Sequence, residues 1–183
     1  MKKVLAFGAS NSTASINKEF AVFAANALNN VEVIIADLND YASPLYSVDL
    51  EKKSGVDSKA YDFYNLIKAS DAVIISLAEY NGLHTSAFKN LWDWLSRIPM
   101  EKPMNIWGGK PMLLLSTSPS RREVNNVLNI SKEIFPHFGA EIIADFYLPS
   151  FNHFFKDGTI INAEHKESFD VQLNKFQDYL IST

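Results

Sequence analysis

The sequence predicts an α/β fold: one parallel sheet of five strands in the order 2-1-3-4-5, sandwiched between two layers of helices. Three observations predict it. Five short apolar runs alternate with five amphipathic stretches of helical period along 183 residues, the pattern of right-handed strand–helix–strand units. The run "DAVIISL" is apolar almost throughout, as strands covered on both faces are. The composition, 47% hydrophobic and 21% charged, is that of one globular domain able to bury a core without disulfides or metal. No internal repeat, low-complexity tract or linker interrupts the chain, so one domain is expected over residues 1–183.

The elements follow in order. "KVLAFGA" reads as the first strand, and "SINKEFAVFAANAL" as a helix with Ile16, Phe20, Phe23, Ala24 and Ala27 on one face. "VEVIIADL" is the second strand, and "SKAYDFYNLIKAS" a helix carrying Tyr61, Tyr64, Leu66 and Ile67. After the third strand, "TSAFKNLWDWLSRI" stacks Phe88, Leu91, Leu95 and Ile98 at helical spacing. "KPMLLLSTS" is the fourth strand, "REVNNVLNISKEIFPHF" a helix, and "AEIIADFYL" the fifth strand. The tail "EHKESFDVQLNKFQDYLIS" closes the fold as a helix with Phe169, Leu173, Phe176, Tyr179 and Leu180 inward.

Composition excludes several function classes. A net charge of -4 and a pI near 5.5 leave no basic excess for nucleic acid. The chain has no cysteine, which removes thiol catalysis and cysteine–zinc sites. His84, His137, His153 and His165 show no metal-ligand spacing, so no metal is expected. The opening "MKKVLAFGAS" has lysines before an apolar run, but the run is too short for a leader and ends in a polar loop. No window approaches the ~20 apolar residues of a membrane span. A cytoplasmic protein without membrane or nucleic-acid partners is the expectation.

A sheet of this order binds ligands outside the carboxyl ends of its strands, where the strand order reverses. That places "GASNSTASIN" beside "AEYNGLHTS", with "STSPSRRE" alongside. The first loop carries Ser10, Ser12, Thr13 and Ser15 and runs into a helix. Exposed amides and the positive end of the helix dipole attract an anion there, and hydroxyls complete its coordination. Ser15 alone would satisfy a helix cap; four hydroxyls exceed that need and point to a phosphate. The Gly-Lys-Ser/Thr ending of a nucleotide-hydrolysing loop and the G-x-G-x-x-G fingerprint are both absent. A neutral hydroxyl loop suits a phosphate that is held and never transferred, as in flavin mononucleotide. "GASNS" approaches the nucleophile elbow of serine hydrolases, with no histidine or aspartate partner marked by spacing. In the second loop Gly82 permits close backbone approach and Asn81 can donate and accept, which suits a flat heteroaromatic ring. For Tyr80 a loop anchor is the competing reading, and for Glu79 a solvated charge or an ion pair with Lys89 or Arg97.

These loops carry a resemblance. The chain resembles the NADPH-dependent FMN reductase family, flavodoxin-like enzymes that include quinone, azo and chromate reductases. The family's first motif reads approximately G-S-x-R-x-x-S-x-N, and Ala9 to Asn17 stand in those places. Its second reads approximately P-E-Y-N-x-S-x-P-x-x-L-K-N-x-x-D-W. "AEYNGLHTSAFKNLWDW" matches it at Glu79, Tyr80, Asn81, Lys89, Asn90, Asp93 and Trp94. Ser12 replaces the phosphate-loop arginine, Ala78 and Thr85 replace the prolines, Leu83 replaces the serine, and "SPSRRE" stands in a usually glycine-rich third loop.

The resemblance implies a flavodoxin-like three-layer sandwich holding FMN, with NADPH or NADH as reductant. Ser10, Ser12, Ser15, Ile16 and Asn17 would hold the phosphate. Glu79, Tyr80, Asn81 and Gly82 would line the ring, with Ser116 and Ser118 near its other edge. No residue would be a chemical catalyst, because the cofactor carries the hydride. The implied activity is transfer through the flavin N5 to free flavin, a quinone or a similar small electron acceptor; a non-enzymatic FMN-binding carrier or sensor is the alternative. Arg121 and Arg122 could meet a nucleotide phosphate, with solvated surface arginines as the favoured reading. A homodimer or homotetramer is implied, with "NDYASPLYSVDL" resembling the segment that faces the interface; a surface loop packed on its own sheet is the competing reading.

Overall fold

The computed structural model describes residues 1–121 and 125–182, so Arg122 lies outside the described residues. In chain order the first half contains β1 (Lys2–Gly8), α1 (Ile16–Asn26), β2 (Val31–Ala36), α2 (Val48–Ser54) and α3 (Ser58–Ala69). It continues with β3 (Ala72–Leu77), the short pair β4 (Glu79–Tyr80) and β5 (Leu83–His84), and α4 (Ser86–Leu95). The second half adds β6 (Pro111–Thr117), α5 (Asn126–Ile134), β7 (Glu141–Leu148) and α6 (Phe151–Phe154). The pair β8 (Phe155–Lys156) and β9 (Thr159–Ile160) then leads into α7 (Ala163–Ser182).

The five long strands form one sheet in the order β2-β1-β3-β6-β7, with every pairing parallel. This is the predicted order, flavodoxin-like. β3 sits at the centre and all six of its residues are buried. Its unbroken apolar run is the sequence trace of that position, because helices cover both faces of the sheet.

Two hydrophobic clusters fill the two faces. Phe63 of α3, Phe88 and Trp94 of α4, and Phe135 just beyond α5 pack with Phe7, Ile75 and Leu114 on one side. Phe20 of α1 and Phe169 and Phe176 of α7 pack with Ala6, Ile74 and Leu113 on the other. Burial of each such side chain stabilises the fold by roughly 1.5–3 kcal/mol. Of the residues read on α3, Ile67 is buried and Tyr64 and Leu66 pack against the core, whereas Tyr61 is 40% exposed; Ala60 and Phe63 are buried beside them. Phe63 wins the place because it meets Phe7 edge to face, ring centroids 5.1 Å apart.

Local chemistry sets the helix starts. Ser15, Asp57, Thr85 and Asn125 each accept a backbone N–H of the helix that follows. α2, unforeseen in the sequence, lies within the excursion after β2, capped by Ser47. That excursion is fastened to α4: Asn90 accepts Tyr46 N–H at 2.8 Å and donates to the Ser43 and Pro44 carbonyls, and Trp94 Nε1 donates to Pro44 O at 2.8 Å.

Candidate functional site

The register of the sheet gathers the three loops. Gly8 pairs with Ser76, Leu77 with Ser116, and Ser116 with Tyr147, so the strand ends form one row. Gly8 is required by close approach: a Cβ there would lie 2.4 Å from Lys18 N and 2.6 Å from Lys18 Cα. The first turn of α1 is thereby drawn against the end of β1. Asn17, only 4% exposed, locks it there. Its Oδ1 accepts Ser76 Oγ at 2.8 Å and Thr117 N at 3.1 Å, and its Nδ2 donates to Thr117 O at 3.1 Å. One buried amide thus joins α1 to β3 and β6.

In the first loop Ser10 N–H donates to Gly8 O at 2.8 Å, and the Ser10 hydroxyl accepts Ser12 N–H at 3.2 Å. Ser12 and Thr13 are exposed. Ser15 Oγ accepts Lys18 N–H at 3.2 Å, the cap that a single serine was expected to give. The amides of Ile16 and Asn17 belong to the first helical turn, where N–H groups have no partner within the helix. Lys18 Nζ is engaged by Asp37 at the end of β2, and that hydrogen bond holds the Asp37 carboxyl below its ordinary range.

The second loop is a hairpin. β4 and β5 pair Glu79 with His84 and Tyr80 with Leu83. Asn81 (φ 54) and Gly82 (φ 84) occupy the left-handed region at its two turn positions, which is why Asn-Gly stands there. Tyr80 is 48% exposed beside the turn. Thr85 anchors the hairpin base: its hydroxyl donates to Ala9 O at 2.9 Å and accepts Phe88 N–H at 3.2 Å. The first and second loops are therefore neighbours in direct contact. Glu79 pairs with neither Lys89 nor Arg97 in the bonds described; its carboxylate accepts Val127 N–H at 3.1 Å, at the positive end of α5. Lys89 pairs with Asp93 at 2.5 Å and Arg97 with Glu51 at 3.0 Å. His84 packs among Phe88, Trp92 and Phe135, its Nε2 2.8 Å from Ser131 Oγ.

The third loop is held from below. Ser116, fully buried, donates its hydroxyl to Leu77 O at 2.6 Å. Ser118 O accepts Phe151 N–H and Ser120 O accepts Ser150 N–H, at 2.9 and 2.8 Å. Arg121 is exposed. Between the Asn81–Gly82 turn and Ser118–Ser120 lies a cavity of about 520 Å³, closed by Asn126 and Tyr147. That volume is within the usual range for small-ligand sites. A smaller cavity of about 290 Å³ opens between Asn11, Tyr41 and Ser86.

The predicted residues divide by what they offer. Ser12, Asn81 and Gly82 stand at the loops with Tyr80 exposed beside them, Ser118 lines the cavity, and Ser10 is buried with its hydroxyl accepting Ser12 N–H. Asn17, Ser116, Ser15 and Glu79 spend their side chains on the protein itself, so what Asn17 and Ser116 can give a ligand is backbone. Asn126 and Tyr147 went unnoticed in the sequence. The Asn-Gly pair marks the hairpin turn, whereas nothing marks Tyr147 inside an ordinary apolar strand. The donor set fits FMN: a neutral hydroxyl loop at the start of an 11-residue helix, and a slot beside a glycine turn. Among the described residues no group of three or more histidines and carboxylates could hold a metal, and no helix is long and apolar enough to cross a membrane.

Known proteins share this fold. A solved flavoenzyme, the NAD(P)H:(acceptor) oxidoreductase FerB of Paracoccus denitrificans, superposes with a TM-score of 0.77 at 21% identity, covering 100% of this chain and 98% of that one. An FMN-dependent NADH-azoreductase of Bacillus anthracis, solved in complex with FMN, gives 0.58 at 16% identity, covering 98% and 99%. At such identities these show the fold. In sequence, the quinone reductase of Escherichia coli K12 is 35% identical over 75 residues, 41% of this chain, and the match spans 38% of that relative's length. A probable NADPH:quinone oxidoreductase of Oryza sativa is 25% identical over 143 residues, 75% of this chain and 68% of that one. Residues 2–153 match the family described as NADPH-dependent FMN reductase, and the chain belongs to that family of flavin-dependent oxidoreductases.

Proposed function

We propose that the protein is an FMN-dependent NAD(P)H oxidoreductase delivering electrons to free flavin, a quinone or a similar small acceptor. Bound FMN supplies the hydride chemistry, through its N5, between the nicotinamide and the acceptor. The protein's part is to bind, orient and shield. The hydroxyls of Ser10, Ser12 and Thr13 and the amides at the start of α1 hold the phosphate, favoured by the helix dipole. The Asn81–Gly82 turn, Tyr80 and the Ser118 loop hold the ring. Asn17, Thr85 and Glu79 keep the three loops in register. The observation that carries this reading is the Asn17 joint, which brings the phosphate loop to the ends of β3 and β6.

Purification tests it. The protein should be yellow, or become so with added FMN, and should oxidise NADPH or NADH when a quinone is supplied. A colourless protein that takes up no FMN sinks the proposal; a yellow protein inert to both nicotinamides makes it a carrier. We further propose a homodimer or homotetramer. An apolar groove of about 440 Å³ between α4 and α5, lined by Leu83, Trp92, Met104 and Ile130, supports association. Light scattering that returns a monomer would refute it.

A further inference from the structure

The cavity at the sheet edge contains a phenol that the proposed function leaves unused. Tyr147 is the penultimate residue of β7. Its ring packs against the cluster beneath α3 and α4, while its hydroxyl stands 2.9 Å from Ser118 Oγ. Both residues line the cavity. Ser118 Oγ also accepts Ser120 N–H at 3.2 Å.

Counting protons shows what the pair can do. Two hydroxyls share one hydrogen bond, so one hydroxyl proton is left over whichever oxygen donates. If Tyr147 donates, the remaining acceptor for Ser118 is Ser120 O at 3.4 Å, a long and weak contact. If Ser118 donates, the phenol proton is free. Of the other polar groups around the cavity, the Glu79 carboxylate accepts from Val127 and Asn125 Oδ1 from Leu128. The pair therefore presents a neutral donor at the mouth of a slot whose opposite wall is the Asn81–Gly82 turn.

We propose that the Tyr147–Ser118 hydroxyl pair is a hydrogen-bonding contact for the heteroatom edge of the flavin ring, with Tyr147 fixing the donor. The inference rests on the FMN reading and adds a residue to it. A donor aimed at that edge holds the reduced, more electron-rich ring better than the oxidised one, because hydrogen bonds strengthen as their acceptor gains charge. Removing it lowers both affinity and midpoint potential.

The test is Tyr147→Phe, which keeps the packed ring and deletes the hydroxyl. Protein freed of flavin is titrated with FMN and with riboflavin, and the potential of the FMN-loaded protein is measured. A lost neutral hydrogen bond corresponds to about a 3- to 10-fold weaker Kd. The loss should be equal for the two flavins, which share the ring, and the potential should move to a more negative value. Ser118→Ala, a change in a loop, should shift both quantities in the same direction, which a folding defect peculiar to Tyr147→Phe would not produce. Unchanged affinities and potential in Tyr147→Phe overturn the proposal while leaving FMN binding intact. A wild-type protein that binds neither flavin overturns the FMN reading and the proposal together, before any variant is made.

Discussion

Asn17→Ala is expected to be among the most damaging single substitutions in the chain, despite removing only a small amide. Asn17 is 4% exposed and its three bonds end on two buried residues, Ser76 at 0% and Thr117 at 1% exposure. Alanine leaves Thr117 N–H without its acceptor, Thr117 O without the Nδ2 donor, and the Ser76 hydroxyl without its target. An unsatisfied buried group costs about 1–3 kcal/mol. The Ser76 hydroxyl can rotate, so the two backbone groups set the scale, about 2–6 kcal/mol. Against a total stability of about 5–15 kcal/mol this is a large share. Asn17→Asp keeps both acceptor contacts but sets an oxygen against Thr117 O and buries a charge, so it should be no milder. The assay is urea unfolding of wild type and both variants, with Asn11→Ala in the exposed part of the same loop as the reference, expected within about 0.5 kcal/mol of wild type. A loss below about 1 kcal/mol for Asn17→Ala would show that these bonds are not what holds α1 to the sheet.

Gly8→Ala must push α1 off β1, since the new methyl would lie 2.4 Å from Lys18 N. The cost should reach the top of the about 1–3 kcal/mol range for overpacking, with weaker FMN binding, and a wild-type melting temperature would contradict it. Burial among aromatic rings, with Lys89 nearby, brings the His84 imidazole down to about 4 from an ordinary 6.5. The unfolded chain therefore takes a proton below about 6.5 that the folded chain refuses until about 4. Stability should be level above pH 6.5, fall between 6.5 and 4, and lose that slope in His84→Gln; the Asp37 carboxyl, held low by Lys18, contributes its own loss only at lower pH. Ser12→Arg should tighten FMN binding about tenfold through a charge-assisted bond to the phosphate, and should leave riboflavin binding unchanged. A titration with no gain would remove Ser12 from the phosphate.

The sheet order and the meeting of the loops were legible because they follow from coarse pattern. Unbroken apolar runs such as Ala72–Leu77 mark buried parallel strands, and strand number with right-handed crossovers leaves few orders. The short pieces were not legible in the same way. β4 and β5 are two residues each, too short for any period, and only the Asn-Gly turn betrays them. In α3 the periodic pattern admitted several aromatics, and contact with Phe7 chose Phe63 over Tyr61. Least legible was aim. A sequence says that Asn17, Ser116 and Glu79 are polar and lie near the site; it does not say that their side chains turn inward.

That inward aim has a physical reason. A site that grips a ligand through backbone amides must leave those amides free of other partners, which limits how far the loops can be held by their own backbone hydrogen bonds. Backbone bonds hold the β4–β5 pair and the third loop, and side chains from neighbouring elements do the rest. Asn17 fastens the first loop to β3 and β6, Glu79 ties the second to the start of α5, and Asn90 with Trp94 pins the excursion after β2. Thr85 replaces a stiffening proline with two hydrogen bonds, one capping α4 and one reaching Ala9. Most of the residues that carry the family resemblance are thus the frame of the site. In the proposed reading, selectivity rests on groups outside that frame, among them Ser12 in the first loop and Asn126 and Tyr147 lining the cavity. Substitutions in the frame should alter stability and flavin affinity together, whereas those three positions should alter affinity or potential with stability almost untouched.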